Sequence, residues 1–187
     1  EKCVSETEPL DKELLHKTVQ DADIVIAALS YTSAGEAHSS CKLELQGEQL
    51  LMLEELKKMG KKVVTLLFNG RPLALGNIEE YTDALVEAWH LGTEAGSAVC
   101  DVLFGDYNPS GRLTASVPYY SGQWPVYYNH PNTGRPTNES EWTCKYRDAP
   151  LTPLYCFGYG LSYTEFEYSN LELKTSSDEL KATVTVK

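Results

Sequence analysis

Glu36 is a loop carboxylate that could move a proton. It sits in Ala34-Gly-Glu-Ala-His38, flanked by Gly35 and Ala37, in a stretch rich in small residues. A carboxyl group on an accessible loop can give a proton to a leaving group and later take one from water. The same glutamate also reads as an ordinary solvated loop residue, and the residues by themselves leave both readings open. His38 either lines a ligand site or lies on the surface. Glu94, Asp101 and Asp106 fall at helix ends and turns, where carboxylates cap N–H groups and complement the helix dipole. His16, His90 and His130 have no ligand spacing, and the five cysteines form no Cys-x-x-Cys pair. Gly158 and Gly160 precede no helix, so they make no phosphate loop. No cofactor and no metal is expected. Trp124, Tyr127, Tyr128 and Trp142 have apolar ring faces that could stack on a flat ligand or pack within the fold.

The elements that would position these residues alternate. Asp11 to Val19 has the period of an amphipathic helix, with Asp11 as its N-cap and Leu14, Leu15, Thr18 and Val19 on one side. Ala22 to Leu29 is a short apolar run suited to a parallel strand buried on both faces. Ser30 to Gln46, which holds Glu36, has no period and reads as a long loop. Glu48 to Met59 is helical, with Leu50, Leu51, Leu53 and Leu56 inward and Gly60 closing the end. Lys62 to Phe68 is a second strand, Asn69 to Pro72 a turn, Asp83 to Trp89 a third strand, and Thr93 to Phe104 a helix. Such alternation predicts an α/β fold, a doubly wound and mostly parallel sheet with helices on both faces. In such sheets ligands bind beyond the carboxyl ends of the strands, where Ser30–Gln46 and Asn69–Pro72 leave.

The totals agree with this class. A chain of 187 residues can bury a sizeable core. Its net charge of −11 argues against nucleic acid and anionic membrane surfaces, both of which need basic patches. No apolar run approaches the roughly 18 residues of a membrane span. After Pro118 the sequence turns irregular and rich in Tyr, Pro and Asn, as a wrap over the sheet would be. Phe166 to Leu173 and Leu180 to Val186 then alternate like half-buried strands joined by Thr175 to Glu179. Two strands alone are marginal, so the chain is expected to end inside a further domain, with a boundary between residues 1–164 and 165–187.

One stretch is far more specific. Asp101-Val-Leu-Phe-Gly-Asp-Tyr-Asn-Pro-Ser-Gly-Arg-Leu113 reads as the last turn of a helix, with Val99, Val102 and Leu103 facing a core. Gly105 ends it, and a run of turn formers follows. Its wording resembles a signature of the second domain of glycoside hydrolase family three, the family of β-glucosidases and β-xylosidases. Phe68-Asn-Gly-Arg-Pro-Leu73, Ala88-Trp-His-Leu-Gly-Thr-Glu-Ala-Gly96, Tyr127 to Pro136 and Pro153 to Thr164 are similar to further signatures of that family. The tail from Glu165 is similar to the start of its fibronectin type III-like domain.

The resemblance implies a retaining glycosidase acting on β-linked oligosaccharides or glycosides. Such hydrolysis uses two carboxylates about 5–5.5 Å apart, one nucleophile and one acid/base. The family carries its nucleophile on a preceding (β/α)8 barrel, which is expected as a partner domain in the same polypeptide. Its acid/base is a loop glutamate, and Glu36 falls on that position, with His38 beside it as a sugar contact. Four positions depart from the family pattern: Ser40 replaces an arginine, Lys42 an acidic residue, Gln46 a proline and Cys156 a proline. A non-catalytic scaffold domain of a degenerate member is the alternative these departures leave. A nucleotide-binding flavodoxin-like domain is disfavoured, since no glycine-rich loop follows Leu29.

Overall fold

The computed structural model describes residues 9–31, 40–131, 134–135 and 143–187. Its centre is a three-stranded parallel sheet of order β1-β2-β3, built from β1 (Ile24–Ser30), β2 (Lys62–Phe68) and β3 (Ala84–Glu87). Ile24 pairs with Lys62 and Val64 with Ala84, so all three strands end on the same edge. Helices α1 (Lys12–Val19), α2 (Gln49–Lys58), α3 (Ile78–Tyr81) and α4 (Ala95–Phe104) alternate with the strands, giving the parallel α/β class that the sequence predicts.

Local chemistry accounts for the helix ends. Asp11 Oδ1 accepts the N–H of Leu14 at 2.9 Å and caps α1. Gly60 and Gly105 take φ of 70° and 84° after α2 and α4, a left-handed conformation that costs a glycine little. The Tyr107 N–H closes the end of α4 on the Asp101 carbonyl at 2.9 Å.

The core gathers Leu15 and Val19 of α1, Ala27 and Leu29 of β1, Met52, Leu53 and Leu56 of α2, and Val63 and Leu67 of β2. Three expectations about faces need correction. Leu50 is exposed and Met52 takes the inward place, because positions 49, 52, 53 and 56 form the stripe that meets the sheet. Strand β1 is not buried on both faces: Val25, Ala27 and Leu29 turn inward, while Ile24 and Ile26 are 57% and 49% exposed. Among the described residues only one face of this strand is covered, the one that Val25, Ala27 and Leu29 turn into the core. Val99, Val102 and Leu103 of α4 are half-buried, and no residue of that helix is fully buried.

Past Pro118 the described residues include a short 3-10 turn, Ser121–Gln123, and Tyr155 returns to pair with Val117. Two antiparallel strands, β4 (Tyr168–Thr175) and β5 (Leu180–Val186), make a separate hairpin. The sequence predicts half-buried strands there, but every residue of both is exposed, since no second layer lies against them among the described residues.

Candidate functional site

Tyr31, Asn69 and Glu87 stand at or just past the ends of β1, β2 and β3, on the edge where parallel sheets take ligands. The end of β1 is fixed by a glutamine. Gln49, at the start of α2 and 5% exposed, accepts the Ser30 N–H through Oε1 and donates through Nε2 to the Ser30 carbonyl, both at 2.8 Å. Its amide acts as a piece of neighbouring strand and sets where the loop begins.

The loop's far end is fixed as well. The Tyr31 hydroxyl donates to the Lys42 carbonyl at 2.6 Å. Arg71, in the turn after β2, donates to the Tyr31 hydroxyl oxygen and, at 2.7 Å, to the same carbonyl. The Ala74 N–H donates to the Leu43 carbonyl at 2.8 Å. Ser121 donates to Glu44 at 2.6 Å, and this hydrogen bond holds the Glu44 carboxyl below the usual carboxylate range.

Two signatures that the sequence presents separately meet at the ends of β2 and β3. Asn69, fully buried, donates from its amide to Glu87 Oε2 at 3.2 Å, and the Trp89 N–H donates to Glu87 Oε1 at 3.1 Å. Trp89 takes a φ of 55°, uncommon for a bulky residue. His90 then comes so close to Gly70 that a Cβ there would lie 2.7 Å from its Nε2. Burial pushes the Glu87 carboxyl up to about 7, against the two hydrogen bonds that favour its charged form. The Asn69 carbonyl oxygen is buried with no partner among the described residues.

The turn after α4, which holds Asn108, Pro109 and Gly111, is knitted to the segment 157–164. Asn108 Oδ1 accepts the Tyr163 N–H at 2.7 Å, Arg112 donates to Ser162 at 3.0 Å, and Ser162 donates to the Pro109 carbonyl at 3.1 Å. Gly158 and Leu113 are joined by a 2.7 Å backbone bond. Asp101 and Asp106 serve this region as exposed residues of a helix end and turn. Glu94 is the N-cap of α4 and accepts from Ser97 at 3.5 Å.

Glu36 and His38 lie outside the described residues, and so does Trp142. What the structure fixes is their frame, from Tyr31 to Ser40. Of the candidate stacking residues, Trp124, Tyr127 and Tyr128 are exposed, and Tyr128 stacks on Phe157 at 5.8 Å between ring centres. Ser40 accepts the Lys42 N–H at 3.2 Å through its hydroxyl, a local turn contact. Sequence reasoning missed Gln49, Arg71 and Glu87. A signal existed for Gln49, a polar residue on the stripe shared by Met52, Leu53 and Leu56. The Arg71 partners Tyr31 and Lys42 and the Glu87 partner Asn69 lie far off in the sequence, and no spacing reveals them.

The model of the glycosyl hydrolase family 3 C-terminal domain matches residues 9–163. The chain belongs to glycosyl hydrolase family 3. A periplasmic β-glucosidase of Salmonella typhimurium is 45% identical over 174 residues, which are 90% of this chain and 23% of that protein. A β-xylosidase of Formosa agariphila is 40% identical over 166 residues, 89% of this chain and 22% of that one. The crystal structure of a β-glucosidase from Listeria innocua in complex with gluconolactone superposes with a TM-score of 0.83 at 41% identity. That match covers 91% of this chain and 25% of the other. The chain thus spans about a quarter of the length of these family 3 relatives, and its parallel sheet is that of the family's C-terminal domain.

Proposed function

We propose that this chain supplies the general acid/base of a retaining β-glycosidase, with Glu36 as the proton carrier and β-glucosides as the first substrates to test. The observation that supports the reading is the 45% identity to a periplasmic β-glucosidase across 90% of the chain. The nucleophile belongs to a (β/α)8 barrel in the same polypeptide, a proposal supported by the greater length of the relatives. Glu36 protonates the glycosidic oxygen while the barrel carboxylate attacks the anomeric carbon. It then takes a proton from the water that releases the sugar. His38 contacts the sugar. Residues 1–164 form the sandwich domain, and 165–187 open a fibronectin type III-like one.

The test uses the full-length polypeptide. Glu36→Ala should cut kcat/KM for an unactivated alkyl β-glucoside far more than for a nitrophenyl β-glucoside, because an activated leaving group needs little protonation. Azide should then raise kcat on the nitrophenyl substrate, since a small anion attacks the glycosyl-enzyme without base help. Equal loss on both substrates, or none, would remove Glu36 from the role. A specific observation favours one other reading: Ser40 and Lys42 stand where the family has an arginine and an acid, as in a scaffold domain that has lost its chemistry. A full-length polypeptide inactive on every β-glycoside would support it.

A further inference from the structure

Tyr31 immediately precedes, and Lys42 closely follows, the segment that carries Glu36; ten residues separate them. They are joined directly by the phenol-to-carbonyl hydrogen bond, and Arg71 binds both partners of that bond from one terminal nitrogen. The guanidinium carbon also lies 4.9 Å from the centre of the Tyr31 ring, a cation–π contact against an almost fully buried phenol. The returning chain is held to the same turn by the Ala74–Leu43 backbone bond. Arg71 Nε is buried and unpartnered among the described residues, and a buried donor is costly to leave unmet. An arginine serving only its own turn would bond locally, whereas both acceptors here belong to the two ends of one loop.

We infer that Arg71 is a positioning residue for the acid/base step: by locking Tyr31 to Lys42 it fixes both ends of the segment that carries Glu36. This rests on the Glu36 reading above. Arginine suits the task because its planar fork donates in fixed directions while its face lies on a ring, and a lysine can do only part of this.

The experiment uses the full-length polypeptide and its Arg71→Ala, Arg71→Lys and Tyr31→Phe variants. Misplacing a reacting group by about an ångström costs roughly a hundredfold. Arg71→Ala should therefore lower kcat/KM on the alkyl β-glucoside about 10- to 100-fold, and on the nitrophenyl β-glucoside less than about threefold. Amide exchange over residues 32–42 should quicken about tenfold or more in the same variant. Arg71→Lys should fall between it and the wild type. Tyr31→Phe should repeat the loss, and the double variant should be no worse than Arg71→Ala alone, because the two share one network. Unchanged exchange over 32–42, or an equal loss on both substrates, would overturn the proposal. Should Arg71→Ala fail to fold, Arg71→Lys and Tyr31→Phe carry the same readouts. If Glu36→Ala leaves both substrates untouched, the Glu36 reading fails, while faster exchange in Arg71→Ala still establishes the clamp.

Discussion

The buried amide of Asn69 donates to the Glu87 carboxylate at 3.2 Å and so ties the ends of β2 and β3 together at the ligand edge of the sheet. Nothing in the spacing of these two residues announces the pair. It explains why an asparagine follows β2, where a hydrophobic residue would otherwise fill a fully buried position, and why the left-handed Trp89 is held in place by the carboxylate's second oxygen.

Glu87 gives the fold a pH dependence of definite sign. Burial raises its carboxyl from 4.5 to about 7, so within that window the folded chain holds a proton that the unfolded chain has released. Stability must fall as the pH rises across it and level off above. Urea midpoints at pH 5 and pH 7.5 should differ by the equivalent of about 1–3 kcal/mol, and Glu87→Gln should abolish the difference. Glu44, held low by Ser121, acts in the opposite direction and only in more acid solution.

Asn108 should be a stability residue. Its side chain meets a backbone N–H 55 positions away. Asn108→Ala leaves the Tyr163 N–H to water or unpaired and should cost about 1 kcal/mol, read as a lowered Tm. Asn108→Asp should keep most of the bond.

Two glycines make a sharper comparison. A Cβ on Gly160 would lie 2.8 Å from the Gly111 carbonyl oxygen, which is backbone, and one on Gly70 would lie 2.7 Å from the His90 ring. Backbone cannot step aside cheaply and a side chain can. Gly160→Ala should destabilise by about 1–3 kcal/mol, as overpacking does, and Gly70→Ala by less. Removing the ring with His90→Ala should relieve most of the Gly70→Ala cost, measured as a double-variant cycle in urea.

On α2, Leu53 is fully buried and Leu50 is exposed. Leu53→Ala should cost about 2–5 kcal/mol and Leu50→Ala under about 1. Equal costs would contradict the face assigned to this helix.

The alternation of helix and strand was legible because each element carries its own pattern. Lys62–Phe68 agrees residue for residue, and Asp11, Gly60 and Gly105 mark helix ends through chemistry local to a few neighbours. Burial was less legible. Ile24 and Ile26 have the composition of a doubly covered strand, but exposure depends on what packs against them, which composition does not encode. Leu50 misled because four leucines compete for a stripe that holds three large residues and Gln49. Helix α3 has only four residues, too few to show a period. At the site, Glu36 and His38 were readable only through a family pattern, and the Arg71 and Glu87 contacts only in three dimensions.

The stitching of 101–113 to 157–164 bears on how the molecule would survive a cut. The bonds from Asn108 to Tyr163, Leu113 to Gly158 and Val117 to Tyr155 bypass the whole of 119–153. A protease that severed the chain after Arg147, an exposed residue in that span, would leave two pieces whose mutual contacts lie elsewhere. They should migrate as one species under native conditions and part only in denaturant, and the two pieces made separately should find each other in solution.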